Sequence, residues 1–193
     1  MSAPDIFRNF AHFEELKANM KARTPKGFSL IELLIVVAII LIIAAIAIPN
    51  LLRARIAANE SSAASSVRTT NTAQISYQST YPTFGYAASM PVMGPPAVTG
   101  CSGILPTNAA ACLIDWVLAN STIANPKSGY YLIDTAFPGA PNQSYVIGAA
   151  AAAANQTGVR SFCSTEEGVI RYSAAPAVPV VTTAACVALT ALR

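Results

Sequence analysis

The run "FSLIELLIVVAIILIIAAIAI", Phe28 to Ile48, is 21 residues long and is interrupted only by Ser29 and Glu32. At about 1.5 Å per residue, a helix of this length covers roughly 30 Å, the hydrocarbon thickness of one bilayer. The run is therefore read as a membrane-spanning helix. Lys17, Lys21, Arg23 and Lys26 precede it, and this basic bias keeps the N-terminus cytoplasmic and sends the remainder across the membrane. Cys101, Cys112, Cys163 and Cys186 all lie beyond the run, which independently places that part in an oxidising compartment. Metal binding is the competing use of cysteine, but there is no Cys-x-x-Cys and the single histidine, His12, lies far upstream.

A secretory signal peptide has the same general form, with an apolar region of about 7 to 15 residues and a small-residue cleavage site. The longer run and Glu32 count against it, although "AIAIPN" supplies small residues. A plain signal anchor explains everything except Glu32 and the junction Lys26-Gly27-Phe28. A carboxylate in a membrane helix costs energy and marks a function or a partner; the plain alternative is that it snorkels to the headgroups. A cut between Gly27 and Phe28 would create an α-amine four residues from Glu32. Among parallel helices, that amine can pair with Glu32 of a neighbour displaced along the axis, which fixes stagger as well as strength. Removing one partner of a buried pair strands a charge, at about 3 to 5 kcal/mol.

The stretch Lys26-Gly27-Phe28-Ser29-Leu30-Ile31-Glu32-Leu33-Leu34-Ile35-Val36-Val37 resembles the class III signal of type IV pilins and of the related pseudopilins of type II secretion. The resemblance implies that a prepilin peptidase cuts after Gly27 and methylates the new N-terminus at Phe28, and that Glu32 serves assembly. Pro49 falls where many pilins carry a helix-bending proline; at the second such position this chain has Thr69. The implied partners are the peptidase, the inner-membrane assembly machinery of the pilus or secretion system, other copies of the chain and, before assembly, the lipid bilayer. The implied location is the bacterial inner membrane, then an extracellular pilus or a periplasmic pseudopilus. The leader, residues 1–27, is longer than many in the family. Ile6, Phe10, Phe13, Leu16 and Met20 recur along it at helical spacing, as in an amphipathic surface helix, and it leaves with His12 on cleavage.

Pro49 lacks an amide donor and is expected to kink or locally melt the helix. Beyond it, Ile56, Ala63, Val67, Thr70, Ala73 and Tyr77 share one face, expected to lie on a globular domain. Arg53 and Arg55 are placed at lipid headgroups or on a solvated face. Residues 80–106, with five prolines, read as loop. "TNAAACLIDWVLAN" reads as a short helix capped by Thr107 or Asn108, with Leu113, Trp116 and Val117 as its apolar face and Trp116 as a core anchor. Strands are expected at 129–135, 144–151, 159–163 and 168–173, with turns at Asn155–Gly158 and Thr165–Gly168. The stretch "TGVRSFCSTEEGVIRYSA" also resembles the C-terminal sheet of some pilin-like proteins.

The expected fold class is α+β: one long N-terminal helix, its first half transmembrane, packed on an antiparallel sheet of about four strands. The expected domains are a leader at 1–27, a membrane and assembly helix at 28–53 and a head at 54–193. Four cysteines allow three pairings. Cys101 with Cys112 and Cys163 with Cys186 are favoured, because each closes a local loop around a segment too poor in apolar residues to hold itself.

Twelve basic and nine acidic residues give a formal charge of +3. Seven of the basic and six of the acidic residues follow Gly27, so that part has no basic cluster of the kind nucleic-acid binding needs. It also lacks a histidine, a phosphate loop and a haem attachment motif. Asp115 and Asp134 could form a carboxylate pair, but solvated or turn-capping roles fit them better. No cofactor is expected; calcium held by Asp134, Glu166 or Glu167 is the ion the resemblance allows, without the spacing of a dedicated loop. The chain is read as a non-enzymatic pilus subunit for adhesion, motility or DNA uptake. A pseudopilin is the alternative, disfavoured because the head exceeds a minimal one. A monomeric anchored binding module and an enzyme are the remaining classes.

Overall fold

The computed structural model describes residues 27–137, 139, 141–175 and 178–192; the leader's helical pattern, its basic residues and His12 lie outside them. The chain divides into two units between Ile46 and Ala47. Helix α1, Leu30–Thr80, contributes to both. It stays helical through Pro49, so the expected melting does not occur; a proline removes one hydrogen bond from the ladder, and the bonds on either side carry the helix past it. The helix stops where Thr80 and Tyr81 precede Pro82, as the residue before a proline is pushed out of the helical region.

The second unit is built on the last half of α1. Ala63, Val67, Thr70, Ala73 and Tyr77 are buried, as their spacing predicts, and Ile56 is half-buried. The five strands β1 Tyr130–Phe137, β2 Ser144–Ala151, β3 Ser161–Thr165, β4 Arg171–Ser173 and β5 Thr190–Ala191 form one antiparallel meander in sequence order. One face of the sheet shares the main core with α1 through Leu132, Tyr145, Ile147, Ala149 and Phe162. On the other, Val146 and the Cys163–Cys186 bridge meet Phe137, Val180 and Leu189. Covered on both faces, β3 is buried at every residue and β2 at all but its first. The tail runs so close that a Cβ on Gly148 would collide with the Val180 carbonyl. Its helix α4, Thr183–Val187, is capped by the Thr182 hydroxyl, and β5 adds the strand that sequence patterning does not foresee.

The other cystine is Cys101–Cys112, so both favoured pairings are present. Two sequence expectations fail between α1 and β1. Helix α2, Met90–Met93, interrupts the expected loop because Met90 and Met93 have a core to enter. The helix expected over 107–120 shrinks to α3, Trp116–Ala119, capped by the Asp115 carboxylate rather than by Thr107 or Asn108. Cys112 takes a left-handed φ of 57°, which ends any helix there. The amides of Ala111, Cys112 and Leu113 instead bond to the carbonyls of Val92, Gly94 and Met93. Leu118, Ala119 and Ile114 fill the core from this segment, leaving Trp116 half-buried and Val117 exposed.

Buried polar side chains of α1 fix the helix on the sheet. The Gln74 amide donates to the Ala87 carbonyl and accepts from the Ala87 N–H, at 3.1 and 2.8 Å, as a peptide group in a ladder would. The same amide nitrogen also donates to Asp134 Oδ2. Asn71 donates to Ser164 and accepts from the Tyr145 hydroxyl. Glu60, 4% exposed, accepts from the backbone N–H groups of Val159 and Arg160 and pairs with the Arg160 guanidinium at 2.6 Å. That guanidinium lies over Phe162 and Tyr172, so the fork is held flat.

Asp134 is thus not solvated as its type suggests. It is 6% exposed, and Oδ1 has no partner among the described residues. Burial pushes its carboxyl up to about 7, against the Gln74 hydrogen bond that pulls it down. Between the ordinary carboxylate value and 7 the folded state holds a proton that the unfolded chain releases, so stability falls as pH rises across that window. Asp134→Asn is therefore expected to flatten the pH dependence of denaturant unfolding between about pH 4 and 7 and to stabilise the protein at pH 8 by a few kcal/mol. Replacing both Cys163 and Cys186 by alanine is expected to cost about 3 kcal/mol in the same assay, and more than the Cys101 and Cys112 double variant, whose loop is shorter and whose sulfurs sit nearer the surface.

Candidate processing and assembly site

Gly27, Phe28 and Ser29 precede α1 without helical structure, and Phe28 is 84% exposed. The Gly27–Phe28 peptide is therefore outside the helical hydrogen-bond ladder, and no described residue packs over the phenylalanine. The first helical bond runs from the Leu33 N–H to the Ser29 carbonyl at 3.2 Å. Glu32 reaches back to Ser29, whose N–H donates to Oε2 at 3.0 Å. Serine at the cap position and glutamate three residues on form the reciprocal half of a capping box. Ser-x-x-Glu ahead of an apolar run is the sequence signal for this cap, and reading the acid only as a membrane charge misses it. The cap leaves the other oxygen, Oε1, without a donor among the described residues. The carboxylate also sits in the first turn, where the helix dipole favours an anion.

From Leu30 to Leu52 the large apolar side chains are exposed: Leu34 is 61%, Ile42 64% and Leu52 54% open. The most apolar window of α1 has a mean hydropathy of 3.3, sufficient in length and composition for a membrane crossing. Arg53 and Arg55 follow immediately and are exposed.

Elsewhere, the acids considered as ion or catalytic groups do not converge. Asp115 caps α3 and pairs with Lys127 at 2.9 Å, Glu167 pairs with Arg171 at 2.8 Å, and Asp134 is enclosed beside Gln74. Among the described residues, no three His, Cys, Asp or Glu side chains are grouped to hold a metal ion. The four cysteines are all in disulfides and serve the head's packing.

Residues 23–48 match the family described as the prokaryotic N-terminal methylation motif. A 38-residue stretch is 68% identical to the type IV wide pilus major component PilA4 of Thermus thermophilus. That stretch is 20% of this chain and 29% of the relative, so the likeness spans well under half of either protein. No solved structure matches. Where these matches lie, the chain carries the prokaryotic N-terminal methylation motif and is similar to a type IV pilus component.

Proposed function

We propose that the chain is the precursor of a type IV pilus subunit, cut after Gly27 and N-methylated at Phe28 by a prepilin peptidase. The observation that carries this reading is the exposed apolar stretch of α1 preceded by an accessible Gly27–Phe28 bond and opened by Glu32. Before assembly the helix is stored in the inner membrane with the head on the far side. During assembly the apolar stretches of many copies replace lipid for one another. The freed amine of an incoming copy meets the Glu32 carboxylate of its neighbour, through the oxygen the capping box leaves unused. The likeness to a pilus component favours a surface fibre over a secretion pseudopilus, and adhesion, motility or DNA uptake follow as uses of that fibre.

Glutamine fits a capping box as well as glutamate does, so Glu32→Gln separates the two roles of the side chain. The variant is expected to insert in the membrane with an unchanged helix and to be nearly absent from sheared surface fibres, because only the charge pair is lost. Fibres formed at the normal rate would exclude the amine–carboxylate contact as the assembly determinant. In wild-type fibres, mass spectrometry is expected to find a methylated Phe28 terminus; an intact Met1, or a terminus near Pro49, would contradict the processing step.

A further inference from the structure

The chain's single tryptophan is only half-buried, for a structural reason. Helix α3 is four residues long and commits Leu118 and Ala119 to the core. Trp116 is therefore turned towards an open cleft of about 580 Å³ between α3 and the loop that leads to β1, lined by Trp116, Val117, Asn120, Ala124, Asn125 and Pro126. The cleft falls within the size range of small-molecule sites. Trp116 stacks on no other described aromatic side chain, and its indole N–H has no hydrogen-bond partner among the described residues.

The polar groups of the cleft are also largely unused. Asn120 uses one amide N–H on the Trp116 backbone carbonyl at 3.1 Å, and its Oδ1 takes no donor among the described residues. The Asn125 side chain makes no hydrogen bond among the described residues, while its backbone is fixed by bonds in both directions to Thr122 and by the Thr122 hydroxyl. Both ends of the segment are tied together by the Asp115–Lys127 pair, with Asp115 also holding the start of α3. These constraints order the cleft before any ligand arrives, which lowers the cost of binding.

Charge selects the ligand class. Lys127 and Asp115 neutralise each other, and the lining holds no charged residue, so nothing there would hold a phosphate or balance an ionised ligand. Nucleic-acid stacking sites add a positively charged track for the backbone, and no such track borders Trp116. What remains is an electron-rich ring face beside two amides and an indole N–H. The face attracts the polarised C–H edge of an apolar surface, and amides both donate to and accept from hydroxyl groups. A pyranose ring offers a C–H face and a rim of hydroxyls at that scale.

We propose that the Trp116 cleft is a binding site for a neutral saccharide, with one pyranose ring stacked on the indole and its hydroxyls held by Asn120 and Asn125. This inference is independent of how the N-terminal helix is processed, because every residue it uses lies in the second unit.

Trp116 alone supplies the tryptophan emission of the chain, so its fluorescence reports this cleft directly. The full chain in detergent is titrated with methyl β-D-glucopyranoside, methyl β-D-galactopyranoside and N-acetylglucosamine. A saturable shift of the emission is expected with at least one of them. Removal of a hydrogen-bonding side chain in Asn125→Ala or Asn120→Ala should weaken it about tenfold. Saturation-transfer NMR on the same sugar should lose its signal in Trp116→Ala, and unchanged resistance to denaturant would show that this variant is folded. The absence of a saturable shift with all three sugars would overturn the proposal. So would tighter binding of glucuronate or of a thymidine oligonucleotide, or an emission already shielded from iodide in assembled fibres, which would make the cleft a contact between copies.

Discussion

The structure depends on one imbalance: seventeen large apolar side chains from Phe28 to Leu52 stand exposed, with no cover among the described residues. Enclosing a Leu, Ile or Val side chain contributes about 1.5 to 3 kcal/mol, so the whole stretch carries on the order of tens of kcal/mol. A folded domain is stable by only about 5 to 15 kcal/mol. The requirement to cover this stretch therefore exceeds anything the head's own folding could enforce. In the proposed function lipid meets this requirement first and other copies of the same helix meet it afterwards. A structural subunit that moves from membrane to fibre needs both solutions to be available. In the proposed fibre Glu32 would contribute direction, because an apolar stripe alone fixes no stagger between neighbours.

The head solves a different problem, which is to hold a small sheet on a helix poor in large apolar residues. Its α1 surface offers Ala63, Ala64, Val67 and Ala73, side chains too small to lock a register by shape. Polar groups do so instead. Glu60 receives two backbone amides and a guanidinium, Asn71 spans Ser164 and Tyr145, and Gln74 completes a peptide-like bridge to Ala87. Such buried networks specify one arrangement because any displacement leaves their members unpaired. Truncation to alanine at Glu60 would leave the Val159 and Arg160 backbone amides without their acceptor, which is why the residue is a structural anchor of the head and not a spare surface acid.

What can be read from the sequence is what repeats or what punctuates. The apolar run and its basic approach, the helical face from Ala63 to Tyr77, the β-branched and aromatic strands, and the turns marked by Asn155 and Gly168 all have local signatures. Gly168 and Asn155 adopt the positive φ that their types permit. The misses depend on long-range pairing. Asp134 looks like a solvated acid until Gln74 arrives from elsewhere in the chain. The segment 107–120 has helical residues, but its amides are claimed by the carbonyls around Met93. Strand β5 is only two residues long and exists because the Cys163–Cys186 bridge returns the tail to the sheet. Trp116 reads as a core residue by its size, whereas the four-residue helix that carries it fills its inward face with Leu118 and Ala119.

The central claim, that the open half of α1 is covered by lipid and then by other copies, is tested most directly by thiol accessibility. All four native cysteines are in disulfides, so a thiol at Ile42, 64% open in the isolated chain, can be labelled alone. Its reaction with a membrane-impermeant maleimide is compared with that of a thiol at Val98, a head residue 72% open. The account predicts that Ile42→Cys resists the reagent in intact membranes and in fibres, while Val98→Cys reacts freely in membranes. Equal labelling of the two in membranes would show the apolar stretch standing in water, and would contradict it.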